Sequence, residues 1–346
     1  MANRALFLPL VALSVSIPRL AAASGVAYPD GHYARVVRES VVVVRDEDSS
    51  LEELLVRAEI ETDAPTLAYV MATTADVVAA PTDSAALDAV RTLARRPAAP
   101  LEIPGVDVAN VALDTLKRPA GDEVDRWLRD HGFSGEGPVA AWAKASASEG
   151  RALTFVRASD PTAGRHVVRL PALRFALHTS ATAVPYADAD LDLSAHAAYL
   201  KRAGLCPSEP CRGPLARAFD LFVIAPGAAR LPPRASGGGP SLTQALQVGG
   251  ELLPVIGGLR FPLSSRWTIT QYEDASLEHD GDAELSFEVL GGAARPRAKQ
   301  AAPMVAHGGK ASVRAHRTRG LFTLLGLLLA VTVGATLRLA DEKRRG

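Results

Sequence analysis

Two cysteines, eight histidines and two acidic clusters are the groups in this 346-residue chain whose types and spacing could do chemistry. Cys206 and Cys211, in "CPSEPC", are the only cysteines. An even pair this close, in a chain read below as exported, is expected to close a disulfide, and Pro207 and Pro210 prebend the loop. Four residues separate them, not the two of Cys-x-x-Cys redox sites, and no histidine follows as haem attachment requires.

Asp188, Asp190 and Asp192, in "DADLDL", place three carboxylates at alternate positions, which could begin a calcium site. A helix–loop–helix calcium loop counted from Asp188 needs glycine sixth and glutamate twelfth, where Leu193 and Tyr199 stand. The cluster therefore reads as a solvated polar face. "EHDGDAE", Glu278 to Glu284, reads as a turn at Asp280-Gly281 between closing strands. No His-x-x-x-His or His-Glu-x-x-His pair puts two imidazoles on one helix turn. His131 reads as a histidine packed on its helix or held by the helix C-terminal dipole. A Gly-x-Ser-x-Gly elbow is missing, and "SGGGPS", Ser236 to Ser241, lacks the Gly-Lys-Ser/Thr ending of a phosphate loop. No catalytic, cofactor-binding or metal-ligating residue is assigned, and no cofactor is expected.

The elements that must position these groups are mostly strands. "SVVVVRD" (Ser40–Asp46) is a short β-branched apolar run. Leu54, Val56, Ala58 and Ile60 alternate with Leu55, Arg57, Glu59 and Glu61, the pattern of a half-buried strand. "TLAYVMAT" (Thr66–Thr73) follows an Asp-Ala-Pro turn and is expected to pair antiparallel with it. Further strands are expected over Val106–Leu113, Ala152–Arg157, His166–Leu170, Ala172–His178, Phe219–Ile224, Trp267–Tyr272 and Leu285–Leu290. Helices are expected over Asp83–Ala94, over Asp122–His131 with Gly132 at C′, and over Ser194–Ala203. "ARLPPRASGGGP" (Ala229–Pro240) reads as a long surface loop.

Both ends carry apolar segments. Arg4 and the run Ala5–Ile17 form the n- and h-regions of a signal peptide, with "AAA" at Ala21–Ala23 offering cleavage after Ala23. Arg19 lies close to that site, so retention of the uncleaved segment stays open. Gly320 to Leu337 is free of charge and reads as a transmembrane helix, with a buried helix as the alternative. Basic residues flank it on both sides, and the N-terminal signal sets the orientation, leaving residues 338–346 in the cytoplasm. Before it, residues 291–319 hold seven Lys and Arg and no acid, which reads as a flexible basic stalk, solvated or against anionic lipid headgroups. An apolar helix followed by "DEKRRG" also matches tails that sorting proteases remove, with Gly308-Gly309 as a cut site. Net charge is zero, with 38 basic and 38 acidic residues, which gives no electrostatic footprint for nucleic acid.

The stretch Asp122–Val156, "DEVDRWLRDHGFSGEGPVAAWAKASASEGRALTFV", resembles the signature region of an uncharacterised bacterial family, domain of unknown function 2330. Its members are exported and often membrane-tethered, with a helix ending in Trp-Leu, a short helix and a Phe-Val strand. The matching positions here are Trp127-Leu128, His131-Gly132-Phe133, Val139–Lys144 and Thr154-Phe155-Val156. "VRLPALRFALHT", "DLFVIAPG" and "RWTITQYEDASL" are similar to later strands of the family, and the likeness spans Val36 to Leu290. The chain lacks the Cys-Gly pair that commonly starts the mature members, and carries an extra insertion over Asp188–Pro214 that contains both cysteines. The resemblance supplies no catalytic residues.

The expected object is α+β: an antiparallel-sheet-rich exported domain (residues 24–290) with two or three short helices, plus one C-terminal transmembrane helix. It is expected on the periplasmic side of the cell membrane, single-pass, with membrane lipid as one partner and an unidentified envelope protein as another. The leading functional reading is a non-enzymatic binding or scaffolding domain. The alternative is an envelope hydrolase whose site assembles from residues distant in sequence.

Overall fold

A computed structural model describes residues 23–46, 51–73, 77–94, 105–108, 110–159, 166–178, 183–189, 192–206, 217–232, 239–256, 259, 261, 265–275 and 284–290. The chain divides into two compact units, Met1–Ala293 and Ala294–Gly346, and the second lies outside the described residues. So do the expected transmembrane helix, Cys211 and residues 1–22 of the signal segment. Among the described residues no helix is long and apolar enough to cross a membrane.

The first unit opens with β1 (Ala23–Ala27), β2 (Ala34–Asp46), β3 (Leu51–Thr62), β4 (Thr66–Thr73), β5 (Val77–Thr82) and α1 (Ala85–Leu93). There follow β6 (Gly105–Asp107), β7 (Val111–Leu116), α2 (Gly121–Asp130), α3 (Pro138–Ser148), β8 (Ala152–Ser159), β9 (His166–Arg169) and β10 (Ala172–His178). The chain continues through β11 (Ala183–Pro185), β12 (Ala187–Asp188), α4 (Leu193–Arg202), β13 (Ala218–Ala225), β14 (Ala228–Arg230) and β15 (Ser241–Gly249). A 3-10 turn at Gly250–Leu252, β16 (Arg266–Asp274), β17 (Glu284–Ser286) and β18 (Glu288–Leu290) complete it.

Two large sheets pack face to face. One has the order β12-β1-β4-β8-β7; the other runs β15-β16-β13-β2-β3-β10-β5, with β9 beside β3 and β6 beside β9. Pairing is antiparallel except at β1/β12, β2/β13 and β6/β9. Between the sheets lies an apolar layer to which Val41, Val43, Leu54, Val56, Phe175 and Leu221 contribute from one side. Val26, Leu67, Tyr69, Met71 and Val156 meet them from the other.

Each sheet's outer face is covered by helix. Val70, Ala72 and Leu153 lie under Leu128 of α2 and Val139 and Ala143 of α3, and the Trp127 and Phe155 rings stack at 3.9 Å between centroids. On the other sheet, Leu87 and Val90 of α1 cover Val42, Val44, Leu55 and Phe222. The layers are therefore helix, sheet, sheet, helix, an α+β architecture with mostly antiparallel sheet.

Several expectations are corrected. Leu54–Thr62 and Thr66–Thr73 do not pair; β3 and β4 belong to different sheets, and residues 63–65 carry the chain across. The reason is in β4 itself. Leu67, Tyr69 and Met71 face the inter-sheet layer while Ala68, Val70 and Ala72 face the helices, so this strand needs cover on both sides. The crossing is pinned by Asp63, whose carboxylate accepts the Tyr33 N–H at 2.7 Å, and by the Thr62 hydroxyl donating to the Tyr33 carbonyl at 2.9 Å.

Val106–Leu113 is split between β6 and β7, which join different sheets. Leu285–Leu290 is split at Phe287, which is buried in the inter-sheet core while β17 pairs with β11 and β18 with β14. Four helices stand among the described residues, not two or three. The one without a periodic signature, α3, covers the Val139–Lys144 segment read as a short helix; it is Ala- and Ser-rich and buries Val139, Ala140, Trp142, Ala143, Ser146 and Ala147, too broad a face to give a sharp stripe. Pro138 starts it at the position where a missing N–H costs nothing.

Candidate functional site

The inter-sheet layer is apolar except where strand geometry turns polar side chains into it. On β2, Ala34 and Val36 face inward, and a register shift between Val36 and Arg38 then moves the inward set to Glu39, Val41 and Val43. That bulge is what delivers the Glu39 carboxylate to the interior. Ser24, two residues before the inward Val26 on β1, points the same way, as does Tyr69 on β4. Arg217, immediately before β13, reaches the same point.

These four residues form one hydrogen-bonded cluster. The Tyr69 hydroxyl donates to Glu39 Oε1 at 2.7 Å and the Ser24 hydroxyl to Glu39 Oε2 at 2.9 Å. Arg217 Nη2 donates to Ser24 Oγ at 2.8 Å and also to Glu39 Oε2. Arg217 and Ser24 are 0% exposed and Glu39 1%. Two charges so far from water persist only because each is matched. Burial first, and the Glu39 carboxylate second, push the Tyr69 phenol well above its ordinary range, so it remains a donor.

Chemically, the arrangement holds a serine hydroxyl between a cation and a carboxylate. The proton of Ser24 is directed at Glu39, one oxygen lone pair is engaged by Arg217, and the other lone pair is left. A guanidinium this close to the hydroxyl is also close to any oxyanion that forms on a carbonyl attacked there.

A separate surface cleft of about 200 Å³ opens where the loop after β1 meets the start of α3, lined by Tyr28, Asp30, Ser134, Glu136, Gly137 and Asp192 among others. Asp192 is committed elsewhere. Its Oδ1 caps α4 by accepting the Ala195 and Ser194 amides, both at 2.9 Å. The Ala195 amide and then the Ser194 hydroxyl hold its carboxyl below the usual range.

No protein-family model matches the chain, and no curated protein matches it. The site is therefore read from its own geometry.

The residues singled out in the sequence mostly lie apart from this cluster. Asp192 is a helix cap, Asp190 lies outside the described residues, and Asp188 belongs to the short strand β12 beside β1. Of the acidic run 278–284, only Glu284 is described, as the first residue of β17. His131 sits at the C-terminus of α2, its ring 4.3 Å from that of Trp127 and its Nδ1 2.7 Å from the Trp127 carbonyl oxygen. Gly132 follows with φ +74°, the left-handed stop expected there. Cys206 lies just past α4, and its expected partner is outside the described residues. Among the described residues, no three His, Cys, Asp or Glu side chains gather as metal ligands would. Ala23 begins β1, directly before Ser24.

The sequence reading missed Ser24, Glu39, Tyr69 and Arg217. Glu39 carries one legible signal, an acid two residues before the Val41–Val44 run, but the bulge that turns it inward leaves no mark in the pattern.

Proposed function

We propose that this protein is an exported, membrane-tethered envelope hydrolase whose nucleophile is Ser24. The observation that carries it is the Ser24 hydroxyl, held between Arg217 and Glu39 in the first residue to follow the expected cleavage at Ala23. The site assembles Ser24, Glu39, Tyr69 and Arg217 from four separate stretches of chain. Ser24 is 0% exposed, and the reading requires that removal of residues 1–23 give a substrate access to it. Arg217 is the oxyanion-stabilising group and Tyr69 positions Glu39.

The signal peptide, the basic stalk over 291–319 and the anchor at Gly320–Leu337 belong to the same proposal, as does membership in the exported family it resembles. The family reading is supported by the order α2, α3, β8 over the Trp-Leu helix, the short helix and the Phe-Val strand. The test is labelling of isolated membranes with an alkyl fluorophosphonate, which phosphonylates serine nucleophiles. Wild-type protein should take up the probe and Ser24→Ala should not; equal uptake removes Ser24 from the reaction.

The cleft at the start of α3 favours a second reading, a domain that binds or scaffolds without chemistry. A photo-reactive residue in place of Glu136 should then cross-link one defined envelope component in cells. The hydrolase reading predicts no such specific product.

A further inference from the structure

We infer that β15 is the seam of a two-fold dimer, in which this strand from each of two copies of the chain pairs antiparallel and joins their β15-to-β5 sheets into one. The inference is independent of the chemistry at Ser24. β15 stands at one end of its sheet, and among the described residues it pairs only with β16. Every second residue of such a strand turns its N–H and C=O away from the neighbouring strand, and these groups are a template for another chain. Thr243, Ala245 and Gln247 are exposed along it.

Proteins blunt such edges with short strands, proline or charge. Among the described residues, the other edges of the two large sheets follow that rule. β12 has two residues and β6 three, β5 carries Pro81, and β7 carries Asp114, which meets Arg157 of β8 at 3.1 Å. β15 has nine residues with neither a charged side chain nor a proline. Its inner side is firmly held. Gln244 Nε2 donates to Gln271 Oε1 at 2.9 Å and also to the Ala94 carbonyl, while Leu246 and Val248 pack into the cluster under α1. The edge is therefore fixed in place and left unblunted.

The occupant that fits is a second copy. Large apolar side chains are exposed at both ends of the strand, Leu242 at 59% near its start and Leu252 and Val255 at 55% and 58% just beyond its finish. An antiparallel two-fold contact lays the start of one strand beside the finish of the other, so these two apolar ends meet, twice. A register shift lies between Leu242 and Gln244, and the regular stretch beyond it, Gln244–Val248, has Leu246 at its centre. Pairing about Leu246 sets Gln244 opposite Val248 and Ala245 opposite Gln247, and brings Leu242 level with Gly250. Gln244, Leu246 and Val248 then keep to one face in both copies. No like charges are opposed along the seam. The contact is isologous and closes on itself, leaving neither β15 edge open.

The test is the mass of the full-length protein in detergent, read by light scattering corrected for bound detergent. Wild type should have twice the mass of one chain. Ala245→Lys with Gln247→Lys opposes like charges at two points of the seam and should halve that mass. Both positions are exposed, so circular dichroism melts should show the fold kept. Ala245→Glu with Gln247→Lys changes the same two positions but sets opposite charges across the seam, and should restore the dimer. A wild type at the mass of one chain overturns the inference. So does a like-charge variant that stays dimeric, because the contact then lies elsewhere. An opposite-charge variant that stays monomeric overturns it too, since nothing then pairs about Leu246.

Discussion

Arg217 and Glu39 are 178 residues apart in the chain and form an ion pair in which both side chains are sealed from solvent, at 0% and 1% exposure. The pair joins the strand that opens the second half of the domain to the bulged strand of the first hairpin. Breaking such a pair leaves one buried charge unmatched. Arg217→Met or Glu39→Gln should each lower unfolding free energy by about 3–5 kcal/mol, read as a shifted urea midpoint. The double change Glu39→Leu with Arg217→Met should recover much of the loss, because no charge then remains to be matched. Additive losses would show that the two residues act independently.

Glu52 makes a different statement about pH. It faces Arg45 across β2 and β3, but the two approach only to 3.7 Å, and neither carboxylate oxygen accepts a hydrogen bond. Burial outweighs the attraction of Arg45 and pushes the carboxyl up to about 8. The folded state therefore keeps its proton where the unfolded state, with a pKa near 4.5, has released it. Stability from this group is complete below pH 4.5 and declines as pH rises through 8, with a slope of at most about 1.4 kcal/mol per pH unit. Glu52→Gln should flatten that decline and stabilise the protein above pH 8. A wild-type stability that rises from pH 5 to 8, unchanged in the variant, would contradict it.

The aromatic contact under α2 ties that helix to the sheet beneath it. Trp127 stacks on Phe155 and on Phe133, at 3.9 and 5.9 Å. Trp127→Ala should cost about 3–5 kcal/mol and loosen α2 from the sheet, visible as loss of amide protection over residues 121–130. An unaffected hydrogen-exchange pattern would mean that α2 is held by other contacts.

What was legible in the sequence follows from how each segment is covered. Strand β3 shows its alternation because Leu54, Val56 and Ile60 face the core while Arg57 and Glu59 meet Asp88 and Arg38 on the other face. Helix α2 shows its stripe because only Val124, Trp127 and Leu128 are buried. Strand β4, apolar on both faces, could be identified as a strand but not assigned to a partner. Strand β15 went unnoticed because it is a largely exposed edge paired only with β16 among the described residues. The candidate site was not legible at all. Its members lie at 24, 39, 69 and 217, and what gathers them is a bulge, a crossing between sheets and a parallel pairing, none of which is local.

The cysteine pair has its own check. In mature protein from the envelope, Cys206 and Cys211 should give no thiol under denaturing, unreduced conditions. Closing so short a loop should contribute roughly 2 kcal/mol, removed by reduction. Two titratable thiols would end the disulfide proposal.

The central claim is that export leaves Ser24 as an N-terminal nucleophile, and one measurement bears on it most directly. Membranes treated with the fluorophosphonate are digested with trypsin, and the peptide Ser24–Arg35 is sequenced by mass spectrometry. The account predicts a free amine at Ser24 and the phosphonate on its hydroxyl in the same peptide. Recovery of that peptide unmodified, while other serine hydrolases in the sample are labelled, would contradict it.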